Sequence, residues 1–226
     1  MAGTVKKLLI GIALATATVA VAISSTNGDK DRPRIVVDES LPVATFAGGC
    51  FWCVESGFEH VPGVVEAVSG YTGGRAGNPT YSQVSSGATG HIESVRVHYD
   101  PAIITYEGLL AAFWRMIDPT DAGGQFVDRG EQYATAIFYH DEQQKLAAER
   151  SRDALAATGR YTKVIATPIR EAGEFYVAEG YHQDYYEKNP VRYNLYRYGS
   201  GRDQYLDKTW GNELNVDYGE YSPEKG

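Results

Sequence analysis

Between residues 42 and 140 the hydrophobic pattern runs strand, helix, strand, strand, helix, strand, and that order admits few folds. PVATFA (42–47) reads as a short strand broken by Gly48-Gly49, and CFWCVESGFEH (50–60) as a helix stopped by Val61-Pro62-Gly63. VVEAVSGY (64–71) is a second strand. HIESVRVHYDP (91–101) alternates strictly, with Glu93, Val95, Val97 and Tyr99 on one face. Thr105 caps the helix YEGLLAAFWRMI (106–117), whose Leu109, Leu110, Phe113 and Ile117 form one stripe. YATAIFYH (133–140) closes the series as a strand. This is the split βαβ order of ferredoxin-like sandwiches. It predicts an α+β two-layer sandwich, a mixed sheet covered by helices, with additional helix and loop elements on the C-terminal side.

The connecting segments are less ordered by this reading. Residues 72–90 are too rich in Gly, Ser, Thr and Asn for anything but loop, and 118–132 form a second glycine-bearing loop. DEQQKLAAERSRDALAAT (141–158) is a helix closed by Gly159, followed by a strand KVIATPI (163–169). A short helix near EGYHQDYYEK (179–188) stops at Asn189-Pro190, and the polar end from residue 196 is expected to wrap the surface.

The chain begins with Lys6 and Lys7 ahead of an apolar run from Leu8 to Ile23, in which Ala20 and Ala22 offer an A-x-A-like cleavage site. Residues 1–23 therefore read as a signal peptide or, if uncleaved, an N-terminal membrane anchor. Residues 24–40 read as a linker, 41–210 as the folded catalytic domain and 211–226 as a polar tail. The expected location is outside the cytoplasm, periplasmic or membrane-anchored, where disulfides persist. The formal charge of −8, with no basic stripe, excludes a general nucleic-acid binder.

Only two cysteines occur, Cys50 and Cys53, and they stand three residues apart. Cys50 follows Gly48-Gly49 at the start of a helix, where the first-turn N–H groups and the helix dipole favour a thiolate nucleophile. Cys53 is poorly explained as a structural staple, because so short a loop removes little unfolded-state entropy. Half a zinc site is also poor, because His60, His91, His98, His140 and His182 lack paired spacing. A redox pair, one thiol attacking and the other resolving, fits best. Phe51 and Trp52 between them suggest an apolar pocket for a small group such as a methyl. Glu93, on the apolar face of its strand, reads equally as a desolvated carboxyl raised toward the range of a general acid or as a sheet-edge glutamate whose carboxylate reaches water.

GGCFWCVE, GYTGGRAGNPTYSQVSSGATGHIESVRVHYDP, GGQFVDRGEQYATAIFY and YHQDYYEKNP resemble, in this order, the signatures of the peptide methionine sulfoxide reductases of the A type. The resemblance covers about residues 43 to 210 and implies the same ferredoxin-like sandwich. It implies thiol-dependent reduction of methionine-S-sulfoxide in proteins and peptides, and of free methionine sulfoxide. By position, Cys50 matches the nucleophile after the supporting Gly49, Phe51 and Trp52 the methyl pocket, and Glu93 the acid. Tyr81 and Tyr133 match phenols that bond the sulfoxide oxygen, Asp128 an acid that arranges the site, and His182 a supporting residue. No metal and no bound cofactor are implied, and reducing equivalents come from thioredoxin or another thiol donor. A monomer is expected.

One departure bears on recycling. Many members of the family carry glycine where this chain has Cys53 and keep recycling cysteines near the C-terminal end, where this chain has none. The Cys50 sulfenic acid is then resolved by Cys53 or by an external thiol. Two other readings stay open at this level: a thioredoxin-type dithiol oxidoreductase, and a non-enzymatic exported module that binds peptides or glycans.

Overall fold

The strand and helix order forms as the hydrophobic periods predict. In the computed structural model, which describes residues 32–223 apart from 34 and 36, the chain starts with β1 (Val43–Gly48), α1 (Phe51–Glu59), β2 (Val64–Thr72), α2 (Tyr81–Ser85), β3 (Ile92–Tyr99) and α3 (Tyr106–Trp114). A small hairpin, β4 (Gly124–Gln125) and β5 (Asp128–Arg129), precedes β6 (Thr135–Tyr139), α4 (Glu142–Ala157), β7 (Ile169–Glu171) and β8 (Tyr176–Val177). The end is helical: α5 (Tyr185–Lys188), α6 (Pro190–Gly199) and α7 (Arg202–Trp210). Residues 1–23, expected to be a signal peptide or N-terminal anchor, lie outside the described residues, and no described helix is long and apolar enough to cross a membrane.

The six-stranded sheet has the order β7-β6-β1-β3-β2-β8. β3 pairs antiparallel with both β1 and β2, so the β1–α1–β2 unit is split by β3, as predicted. β6 joins β1 antiparallel, β7 adds in parallel at one edge and β8 antiparallel at the other, which makes the sheet mixed.

The alternation then decides the faces. Ala44 and Phe46 of β1, Val95 and Val97 of β3 and Ile137 of β6 are buried in one cluster with residues of α1 and α3. Phe46 sits at its centre, stacked on Phe58 and Phe113 with ring centroids 4.9 Å apart in each case. Fully burying one such ring stabilises the fold by roughly 1.5–3 kcal/mol. On the opposite face Ala47, Ile92, Ala136 and Phe138 pack with Ala172, and the Arg96 guanidinium lies 4.3 Å over Phe175.

Four segments differ from expectation. Within 72–90 a helix forms, because Thr80 and Gln83 make a capping box: the Thr80 hydroxyl accepts from Gln83 N, and the Gln83 carboxamide accepts from Thr80 N at 2.9 Å. The strand expected at 163–169 begins only at Ile169, since Ala166 N and Thr167 N donate to Pro119 O at 2.7 and 3.3 Å and Pro168 has no N–H to give. Residues 118–132 hold the β4–β5 hairpin. Asn189-Pro190 does not only stop a helix: Pro190 is the first residue of α6, where its missing N–H is harmless. The tail from 196 is thus helical rather than a surface wrap, and Arg202, Leu206 and Trp210 of α7 are buried. Beyond it, Thr105 N donates to Tyr221 O at 3.0 Å, which ties the tail to the start of α3.

Candidate active site

The site is built where β1 ends and α1 begins. Gly49 has φ +84°, and a Cβ there would lie 2.6 Å from Gln125 Cβ and 3.0 Å from Arg202 Nη2, so glycine alone fits. Gln125 is itself buried and clamped: its Nε2 donates to Asp118 O and Gly124 O at 2.9 Å, and its Oε1 accepts from Asp118 N at 2.8 Å. Cys50 follows as the N-cap of α1 with ψ 119°, outside the helix proper, and is 7 % exposed.

Burial, then the adjoining Cys53, then the Glu93 charge push the Cys50 thiol well above its ordinary range. The thiolate expected at the helix start is therefore not its resting form. Desolvation outweighs a helix end worth at most ~2 kcal/mol. The first helical N–H, moreover, points elsewhere: Phe51 N donates to Glu93 Oε2 at 3.0 Å.

Glu93 lies on the central strand β3 and is 2 % exposed, not at a wet edge. Burial raises its carboxyl to about 8, opposed by the Phe51 N–H, so it is mostly neutral at pH 7. Tyr81 and Tyr133 hydrogen bond to one another through their phenols. Burial, then the Glu93 charge, raise Tyr81 to about 12 and Tyr133 as well, so both are protonated donors. Tyr81 is held by its N–H, which donates to Glu179 Oε1 at 2.8 Å, while Tyr71 OH donates to Glu179 Oε2 at 2.7 Å. Tyr133 ends a 3-10 turn, Glu131–Tyr133, anchored by Gln132 Nε2 donating to Ser85 O at 3.0 Å. The helix hidden in the 72–90 loop thus brings the two phenols together.

Aromatic rings wall the other side. Trp52 stacks on Tyr185 with centroids 3.7 Å apart and planes 4° from parallel, and its Nε1 donates to His182 Nδ1 at 3.0 Å. His182, pushed down to about 4 by burial, is neutral and also touches Phe51 and Tyr81, with centroids 4.9 and 4.4 Å away. It orients the rings of the site and carries no charge.

Cys53 lies among Tyr185 and Tyr193, with Trp52, Tyr186 and Tyr196 against them. Both thiols are free, and they hydrogen bond to each other. That bond lowers Cys53 to about 6 against its burial, assisted by the Arg202 and Arg197 guanidiniums. Arg197 is fixed by Asp203, its Nε donating to Oδ1 at 2.9 Å, and by its Nη1 donating to Tyr193 OH at 2.9 Å. The buried Arg202 donates from Nη2 to Gly48 O at 3.0 Å, from Nη1 to Met116 O, and lies 4.7 Å over Phe126. Asp128, presented by the β4–β5 hairpin, accepts from Tyr196 OH, and Tyr196 also hydrogen bonds the Cys50 thiol.

All ten residues singled out in the sequence thus meet around Cys50. Tyr196, Arg197, Arg202, Tyr185 and Glu179 were missed. The helical spacing of Tyr193, Tyr196 and Arg197 behind Pro190 was the available signal for the first of these; nothing local marks Glu179. Elsewhere Glu55, Glu59 and Asp184 bring carboxylate oxygens within 4.8 Å, but these already accept from Ser69, Tyr186, Lys188 and the Asp184 N–H.

The model of the family described as peptide methionine sulfoxide reductase matches residues 42–214. A peptide methionine sulfoxide reductase of Bacillus licheniformis is 54 % identical over 173 residues, covering 76 % of this chain and 96 % of that one. One of Bacillus subtilis is 52 % identical over 175 residues, covering 77 % and 99 %. Among solved structures, methionine sulfoxide reductase A of Corynebacterium diphtheriae is similar with a TM-score of 0.60 at 34 % identity, covering 68 % of this chain and 77 % of that one. Reduced Mxr1 of Saccharomyces cerevisiae has a TM-score of 0.64 at 31 % identity, covering 68 % and 88 %. With four sequence blocks, the sandwich and these relatives in agreement, the chain belongs to the peptide methionine sulfoxide reductase family, as a thiol-dependent reductase of the A type.

Proposed function

We propose that Cys50 attacks the sulfoxide sulfur of methionine-S-sulfoxide, in oxidised proteins, peptides or the free amino acid, while Glu93, Tyr81 and Tyr133 activate its oxygen. A sulfoxide sulfur is poorly electrophilic until its oxygen is protonated or strongly hydrogen-bonded, so a neutral carboxyl with two phenols is the equipment required. Glu93 delivers its proton to that oxygen as the Cys50 sulfur attacks. Methionine leaves with its sulfur reduced, and the oxygen stays on Cys50 as a sulfenic acid. Phe51 and Trp52 receive the methyl group, His182 orients Trp52, and Asp128 arranges Cys50 through Tyr196. The observation that carries this reading is Glu93 itself: a buried carboxyl that keeps its proton at pH 7, bonded to the N–H next to the nucleophile. Incubation with a dabsylated methionine sulfoxide and dithiothreitol tests it. Methionine product from wild type and none from Cys50→Ser is expected; equal product from both overturns the assignment.

Cys53 then attacks the sulfenic sulfur, a Cys50–Cys53 disulfide forms, the hydroxyl takes a proton from solvent and leaves as water, and a thioredoxin-like dithiol reduces the bond. The position of Cys50 outside the helix and the hydrogen bond between the thiols support this, because only the first turn has to adjust. The electropositive setting of Cys53 supports an attacking thiolate. Cys53→Ser should keep single-turnover methionine release and lose thioredoxin-driven turnover; normal turnover would assign recycling to an external thiol. The working unit is proposed to be a monomer, which light scattering on the purified protein tests. The basic and apolar leader supports an exported enzyme, periplasmic or anchored, and N-terminal sequencing of the exported protein tests that placement.

A further inference from the structure

The nucleophile rests as a buried thiol, so some group has to take its proton before it attacks. Glu93 is unsuited, because its own proton is needed on the sulfoxide oxygen. Cys53 bonds the thiol, but it lies on the side of the arginines that favour its charge for the later attack. A third contact remains. Tyr196 OH donates to Asp128 Oδ2 and the same phenol hydrogen bonds the Cys50 sulfur, a contact that favours the thiolate; with its one proton directed at Asp128, its lone pairs are free to receive another. The ring is fixed edge-on against Trp52, centroids 5.9 Å apart, and the hairpin and α6 meet at this bond.

We propose that Tyr196 is a catalytic residue, a proton relay from the Cys50 thiol to the Asp128 carboxylate. The S–H proton passes to the phenol oxygen as the phenol proton passes to Asp128 Oδ2, leaving a thiolate, a neutral tyrosine and a carboxylic acid. No electrons change hands in this step. When the disulfide is later reduced by a dithiol donor, Cys50 departs as a thiolate and recovers the proton along the same path, while one of the donor's two protons returns to Glu93 and the other to solvent, replacing the one taken up when water formed. The groups acting on the relay are Cys53 and Glu93 at Cys50, and Arg202 at Asp128. The phenol cannot hold charge itself, since burial and the neighbouring thiols drive its own ionisation far up. It conducts a proton without storing one.

This inference rests on Cys50 being the nucleophile, and one experiment separates the two. Reduced wild type, Cys50→Ser, Tyr196→Phe, Asp128→Asn and the Tyr196→Phe/Asp128→Asn double variant are mixed with a methionine-sulfoxide peptide without donor, and methionine is timed. Release from wild type and none from Cys50→Ser upholds the nucleophile; the opposite sinks that reading and the relay with it. Given an active wild type, Tyr196→Phe should release methionine roughly 10²-fold more slowly. The double variant should be no slower than its slower parent. The pH midpoint of iodoacetamide labelling at Cys50 should rise in Tyr196→Phe. Tyr198→Phe, on the exposed side of α6, should match wild type. Equal single-turnover rates and labelling midpoints for wild type and Tyr196→Phe overturn the relay and leave Cys53 as the acceptor. If Tyr196→Phe loses its fold, Asp128→Asn reads the same path: an unchanged rate overturns the relay, a slowed one supports it.

Discussion

Glu93 and Cys50 are adjacent titratable groups with opposite duties, one needed protonated and the other deprotonated. Cys50 enters as a thiol whose proton leaves within the site, so the alkaline limb belongs to the carboxyl: as pH rises through about 8, Glu93 loses the proton the sulfoxide needs and kcat/KM falls. Glu93→Gln should lower the rate by ~10²–10⁴ below pH 8, and its profile should lack that limb. A pH–rate series on both proteins checks this; an alkaline limb of the same midpoint in Glu93→Gln assigns it to another group. The burial of Glu93 was legible in strict alternation, which puts it beside Val95 and Val97. The protonation of Cys50 was not, because local helix position argues for a thiolate while neighbours distant in sequence argue for a thiol. Desolvation is a property of the assembled site.

Two kinds of element build the site. β1, α1 and β3 were readable from period and punctuation, and they place Cys50, Phe51, Trp52 and Glu93. The β4–β5 hairpin, α2, α6 and α7 were hidden in polar, glycine-rich sequence, where composition alone reads as loop. α2 forms through its Thr80–Gln83 capping box, a signal that four consecutive residues do carry. α7 matters most at a distance, since the buried Arg202 holds the carbonyls of Gly48 and Met116. Arg202→Met should destabilise the fold by about 3 kcal/mol, because one buried and one part-buried carbonyl lose a charged donor. Urea unfolding checks it; a midpoint equal to wild type would mean that α7 is not tied to the start of α1. Gly49→Ala, with its φ of +84° and a Cβ 2.6 Å from Gln125, should cost at least 1–3 kcal/mol on the strain scale. Single-turnover release should fall with it, since Cys50 follows directly.

For the molecule as a whole, two buried carboxyls bind protons that the unfolded chain does not. Burial raises both Glu55 and Glu93 to about 8, above an unfolded value near ~4.3. Between those pH values the folded state holds the extra protons, so this contribution is complete below ~4.3 and is lost as pH rises through about 8. Glu55 lies on α1 away from Cys50, accepting from Ser69 Oγ at 2.8 Å and Asp184 N at 2.9 Å. Glu55→Gln keeps the shape without the titration, so its Tm should gain on wild type steadily from pH 5 to 8 by calorimetry. A constant difference over that range would place the Glu55 proton elsewhere. By itself the sequence determined the sandwich, its four central strands and ten of the residues that converge on Cys50, because periodicity, glycine breaks and motif blocks are local information. Only the tertiary structure decided which thiol keeps its proton, which arginines face Cys53, and that Tyr196 joins Cys50 to Asp128. Those depend on burial and on through-space charge between segments up to 154 residues apart, as between Arg202 and Gly48.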